Sequence, residues 1–191
     1  MKFLKDNVLD DSKSLVPNDE WRLIYSLDKR KFMLIKLLIE VFIACAYAFG
    51  LGYSLFFLDN PIKIGALFIP ILIIGSLFII IPHELLHGLC YPIKKNITII
   101  YTLSKLKIIL YTRDIISKSR ILILLILPFI ILSIIPSIII YVFDFNLLLY
   151  ALASANAIRC GQDLLNFIFI IKNTPKNSSF KINQQGIYLY N

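Results

Sequence analysis

Four long apolar stretches decide what this chain can fold into. Leu37–Leu58 is interrupted only by Glu40. As a helix its 22 residues reach about 33 Å, enough to cross a bilayer. Asp59-Asn60-Pro61 closes it. Ile64–Cys90 is the second stretch, with Tyr91-Pro92 after it. Ile121–Phe143, carrying Pro128 and Pro136, is the third, and Leu147–Ile171 is the fourth. Lipid offers no hydrogen bonds to open backbone, so such stretches must be helical. Prolines are tolerated where neighbouring helices satisfy the carbonyls they free. Composition agrees: 58% of residues are hydrophobic and 17% charged, against about 45–50% and 25% in soluble domains. With a mean hydropathy of +0.78, a water-soluble globule and intrinsic disorder are excluded. The expected architecture is a single-domain, all-α integral membrane protein. Residues 37–171 form a four-helix transmembrane core, 1–36 a cytoplasmic N-terminal segment and 172–191 a cytoplasmic tail. No apolar core near Met1 precedes a small-residue cleavage site, so no cleavable signal peptide is expected.

Lys and Arg set the orientation. Eight of the 20 lie in the first 36 residues and seven in the connection between stretches two and three (Lys94, Lys95, Lys105, Lys107, Arg113, Lys118, Arg120). Three more, Lys172, Lys176 and Lys181, lie in the tail. The first connection has Lys63 alone, and the third, Asp144-Phe145-Asn146, has none. The positive-inside rule therefore places both termini and the long connection in the cytoplasm. The net charge of +8 is topological on this reading and implies no nucleic-acid partner. Richness in Ile, Asn and Lys fits an AT-rich bacterial genome, hence a bacterial cytoplasmic membrane.

Within the long connection, Ile97–Leu103 and Leu106–Tyr111 read as two strands about Ser104-Lys105. The hairpin either hugs the membrane or offers a sheet edge to an extended peptide. Phe180–Asn191 reads as a second small hairpin turning at Gln185-Gly186. Trp21–Tyr25 is either a short amphipathic piece at the headgroups or plain tail. Cys45, Cys90 and Cys160, odd in number and in or beside apolar stretches, form no disulfide framework.

The chemistry concentrates at one end of the second stretch, in His83-Glu84-Leu85-Leu86-His87. Residues four apart share a helix face, so both imidazoles reach one metal ion, and Glu84 beside the first is placed to act as a base toward water. Charged residues inside a span are costly and tend to be functional. The bland reading has His83 and Glu84 merely capping the helix end, with Pro82 loosening the turn before them. A catalytic zinc site takes three protein ligands, and the chain has only two histidines. The third ligand is therefore a carboxylate or a thiolate. Asp163 is the leading candidate. It lies about 12 Å before Ile171, while His83 and His87 lie about 10 and 5 Å before Cys90 at the same membrane side. An i, i+4 pair with Arg159 is its structural alternative. Cys160 is the rival ligand, or simply a small apolar residue. Asn156 and Arg159 share the Asp163 face and are candidates for substrate or oxyanion contacts, or for bridging helices. Glu40 reads as interfacial.

His83-Glu84-x-x-His87-Gly88, Ser119-Arg120 with Leu127-Pro128-Phe129, and Asn156 through Gly161-x-Asp163 together resemble a family of small bacterial membrane zincin peptidases grouped as a domain of unknown function. The resemblance runs from about Arg22 to the tail. More distantly the chain is similar to the site-2 protease class of intramembrane metalloproteases. The resemblance implies His83, His87 and Asp163 as zinc ligands and Glu84 as the catalytic acid/base. It departs from site-2 proteases where their Asn-x-x-Pro stretch leads to Asp-Gly: Ile158-Arg159 stands at the proline region and Leu164 follows the aspartate. The expected function is an intramembrane zinc metallopeptidase, one Zn²⁺ per chain, acting on membrane or membrane-adjacent peptides within the lipid bilayer. The alternative is a non-catalytic zincin-like membrane protein serving as regulator, immunity protein or transporter accessory.

Overall fold

The computed structural model describes residues 2–5, 21–24, 29–57, 61–91, 97–102, 107–112, 115–183 and 186–190. Strands β1 (Lys2–Lys5) and β2 (Trp21–Leu23) precede helix α1 (Lys29–Phe56), and α2 (Pro61–Phe78) and α3 (Ile80–Leu89) follow. Strands β3 (Ile97–Thr102), β4 (Lys107–Thr112) and β5 (Ile116–Ser117) lead into α4 (Lys118–Phe129). A π-helical turn, Ile130–Ile134, joins α4 to α5 (Ile135–Val142). Helices α6 (Leu147–Arg159) and α7 (Gly161–Asn173) and strands β6 (Ser179–Asn183) and β7 (Gly186–Tyr190) complete the order.

Three helical runs are long and apolar enough to cross a membrane: Arg30–Phe56, Pro61–Leu89 and Lys118–Val142. The protein is thus mostly helical and of membrane type. The fourth expected span differs. Leu147–Ile171 breaks at Cys160 into two helices of 13 residues each, each about 20 Å long. Alanine, serine and asparagine make α6 the most enclosed helix. Ala151, Ala153 and Ala157 are fully buried, with Ser154 and Asn156 beside them. Glycines let the neighbours close in. A Cβ at Gly75 of α2 would meet Leu152 Cδ2 at 2.9 Å, and one at Gly50 of α1 would meet the Tyr150 hydroxyl at 2.7 Å. By contrast α1 turns Phe42, Phe49 and Phe56 outward at 75–83% exposure, a face suited to lipid.

The two expected hairpins are extended into two sheets by short strands from elsewhere in the chain. The central hairpin forms almost where the alternation placed it, with Ile97 opposite Thr112 and Thr102 opposite Lys107; β1 adds in parallel to β3. The turn about Ser104-Lys105 lies outside the described residues. The tail hairpin pairs Asn183 with Gly186 and belongs to a four-stranded sheet ordered β2-β7-β6-β5. Trp21 therefore starts a strand, where its ring meets Tyr190 at 5.0 Å and Lys181 Nζ lies 4.3 Å above it. These strands were hard to foresee because β1, β2 and β5 are two to four residues long and pair with partners far along the chain. Phe180, Ile116, Ile121 and Ile170 lock this sheet onto α4 and α7 in one fully or almost fully buried cluster.

Candidate metal centre

Each histidine is placed by a break in a helix. Pro82 has no N–H, so it cannot bond the Phe78 carbonyl, and the helix interrupts at Ile79. It resumes with His83 N–H donating to Ile79 O at 3.1 Å. His83 and His87 then lie one turn apart on one face of α3, 3% and 9% exposed.

Their outer nitrogens are committed. His87 Nδ1 lies 2.9 Å from the Leu124 carbonyl oxygen. Pro128 follows Leu124 by four residues, so this carbonyl lacks its helical donor and the imidazole N–H takes its place. His83 Nδ1 lies 2.9 Å from Asn156 Oδ1. The Asn156 amide is oriented by its other end, where Nδ2 donates to Pro128 O at 2.9 Å and to Ser133 Oγ at 2.8 Å. A carbonyl only accepts, so Nδ2 must face it and Oδ1 must face the histidine. Both rings therefore carry a proton on Nδ1, and in the neutral imidazoles both Nε2 atoms present lone pairs.

Those lone pairs converge. The two Nε2 atoms are 3.1 Å apart, and Asp163 Oδ2 lies 3.3 Å from His83 Nε2 and 3.5 Å from His87 Nε2. Zinc–ligand bonds of about 2.0–2.2 Å give a tetrahedral edge of about 3.3–3.5 Å. The two carboxylate sides fit that edge, and the side between the imidazoles, at 3.1 Å, is slightly shorter than it. A single proton serves one edge of the triangle at a time, whereas a divalent cation serves all three.

Sequence reasoning brought His83, His87, Glu84 and Asp163 to one place, and the fold does the same. Arg159 does not take up an i, i+4 pair with Asp163; it reaches across to α3, its Nη2 3.4 Å from Glu84 Oε1. Asn156 is fully buried with its amide engaged internally, which fits the helix-bridging alternative for it rather than a substrate or oxyanion contact. Cys160 is fully buried. Its sulfur lies within 4.8 Å of ligand atoms of both His83 and Asp163, but it meets His83 on the Nδ1 side at 3.9 Å. A metal there would have to displace Asn156, so the set with His87 is the better one. Glu40 pairs with Lys36 at 3.3 Å and packs over Gly161, away from the triangle's hydrogen bonds. Ser133 and the Leu124 and Pro128 carbonyls were missed as site groups. Pro128 was the available signal, since a proline four residues on marks Leu124 O as free. Among the described residues, Arg159 Nε and Asn166 Oδ1 are buried side-chain atoms without a hydrogen-bond partner.

Three apolar helical runs long enough to cross a membrane and a buried His-His-carboxylate triangle with Glu84 next to its first histidine make this a membrane protein with a candidate metal centre. The chain belongs to the family described as "Putative zincin peptidase", whose model matches residues 76–179 and so spans α3 through α7. That membership makes it a peptidase at the level of class and implies zinc as the metal. No curated protein and no solved structure matches the chain.

Proposed function

We propose that the protein is a zinc-dependent endopeptidase of the bacterial cytoplasmic membrane, N- and C-termini inside, cleaving membrane or membrane-adjacent peptides. The observation that carries this is the triangle of His83 Nε2, His87 Nε2 and Asp163 Oδ2, 3.1–3.5 Å on a side. His83, His87 and Asp163 would hold the metal. Zinc in such a site supplies Lewis-acid polarisation of a carbonyl and acidifies water.

The chain's own groups do the rest. Glu84 and Asp163 keep 15% and 19% of their side chains exposed while His83 keeps 3%, so substrate and water approach from the carboxylate side. Arg159 holds Glu84 by Oε1 and thereby aims the carboxylate. The second oxygen takes a proton from attacking water and returns it to the leaving amine nitrogen. Arg159 Nε–H, buried and unpartnered, is the donor suited to a substrate carbonyl oxygen as negative charge develops there. Site-2 proteases offer the parallel of cleavage at membrane depth, but Arg159 stands where their proline region would fall.

The test is Glu84→Gln in detergent-purified protein against a panel of transmembrane peptides, with zinc content measured alongside. Loss of cleavage with zinc retained supports catalysis. Unchanged cleavage of every substrate refutes it, and a cellular phenotype indifferent to Glu84→Gln favours the non-catalytic alternative.

A further inference from the structure

We propose that the distorted middle of the third apolar run is a template that sets the ring tautomer of both histidines, with Pro128 and Asn156 as the positioning residues. The inference rests on the metal reading of the site and is independent of peptidase activity.

One segment governs both rings. Pro128 lacks the N–H that would bond Leu124 O, and a proline ring also crowds the carbonyl four residues before it. That carbonyl receives His87 Nδ1–H at 2.9 Å. One turn later the helix widens, and Ile135 N–H bonds Ile130 O, the i to i−5 pattern of a π turn. At this widening Asn156 of α6 enters and donates to both Pro128 O and Ser133 Oγ. Its amide is thereby turned so that Oδ1 receives His83 Nδ1–H. Asn156 and Ser133 are fully buried, so no water competes for these bonds. Without such partners a neutral histidine in water favours the proton on Nε2, the atom that must here be bare. The template thus removes, before any metal arrives, a proton that would block each inner nitrogen. Partners of this kind govern metal affinity by about 10–100-fold.

The chain's two histidines make the test direct. Protein labelled with ¹⁵N-histidine is purified metal-free in detergent, and ring nitrogens are assigned by NMR at a pH where both rings are neutral. Zinc affinity is read separately by competition with a chelator of known strength. Wild type is expected to show protonated Nδ1 and bare Nε2 on both rings. Pro128→Ala returns a competing N–H to Leu124 O. It should disturb the His87 ring, leave the His83 ring as it was and weaken zinc about 10–100-fold. Asn156→Ala should do the reverse between the rings. Ser133→Ala, which touches neither histidine, should give a milder loss on the His83 side. A protonated Nε2 on either ring of the wild type overturns the proposal even if Asn156→Ala does not fold. So does a Pro128→Ala protein with an unchanged His87 ring and unchanged affinity. The expected tautomers in a protein that cleaves no peptide support the template while counting against the proposed function.

Discussion

Gly161→Ala probes how α1 holds the helix break beside the site. The new Cβ would lie 2.5 Å from Glu40 Cγ and 3.2 Å from Glu40 Oε1. Cγ sits mid-chain, so Glu40 must change rotamer and give up its pairing with Lys36. Overpacking of this kind costs about 1–3 kcal/mol, and the half-buried ion pair adds no more than about 1. Alanine in place of glycine in a helix returns about 1 kcal/mol. The net is a loss of about 0–3 kcal/mol, and at its centre, about 1.5 kcal/mol, a fall in Tm of about 3–6 °C for a chain of this size. In a Glu40→Ala background the clash is gone and only the helix gain remains. The same substitution should then raise Tm. The measurement is a double-mutant cycle by thermal unfolding in detergent, with zinc affinity followed in parallel because Asp163 lies two residues along α7. Affinity should drop in Gly161→Ala and recover in the double variant. Additivity within about 0.5 kcal/mol would refute a direct α1–α7 contact at the break.

Other outcomes are expected from the site itself. Metal analysis should find about one zinc per chain in wild type, little in His87→Ala or Asp163→Ala, and wild-type content in Cys160→Ala; the reverse pattern for Asp163 and Cys160 would move the third ligand to sulfur. Arg159→Gln should keep its zinc but lose kcat more than KM, and Arg159→Lys should rescue only part, because an ammonium has no Nε–H fork. Chelator treatment should lower Tm by an amount that grows with the free zinc removed, about 2.7 kcal/mol for a site that had been filled at 100 times Kd; a Tm indifferent to zinc would mean that the triangle is not a metal site.

The sequence made the helices legible because lipid burial leaves a long, simple signal. It placed His83, Glu84, His87 and Asp163 together by depth arithmetic alone, since spacing along helices converts directly into height. It left open what a side chain faces. Arg159 can pair along its own helix or across to α3, and nothing in its spacing decides between Asp163 and Glu84. Asn156 looked available to substrate because its burial depends on the π turn, which no residue type announces. The four-stranded sheet was legible only as its tail hairpin. Its outer strands, Trp21–Leu23 and Ile116–Ser117, are too short to show a period and are defined by pairing with distant partners.

Four breaks or distortions of the membrane helices gather around the triangle, whereas Pro70 lies inside α2 away from it and leaves that helix continuous. Pro82 interrupts α2–α3 four residues after Phe78 and just before His83. Pro128 frees the carbonyl that holds His87. The π turn admits Asn156, and the Cys160-Gly161 break precedes Asp163 within the same turn of α7. Each departure costs local helix stability, and each adjoins a group of the triangle or the partner that orients it. If these were defects tolerated by a lipid-packed bundle, they would be expected anywhere along about a hundred apolar residues, including the outward faces of α1. Instead α1 runs unbroken for 28 residues with none of its own residues in the triangle. Stored irregularity of this kind persists where surrounding structure holds it and function uses it. These four irregularities gather where His83 Nε2, His87 Nε2 and Asp163 Oδ2 come to 3.1–3.5 Å of one another.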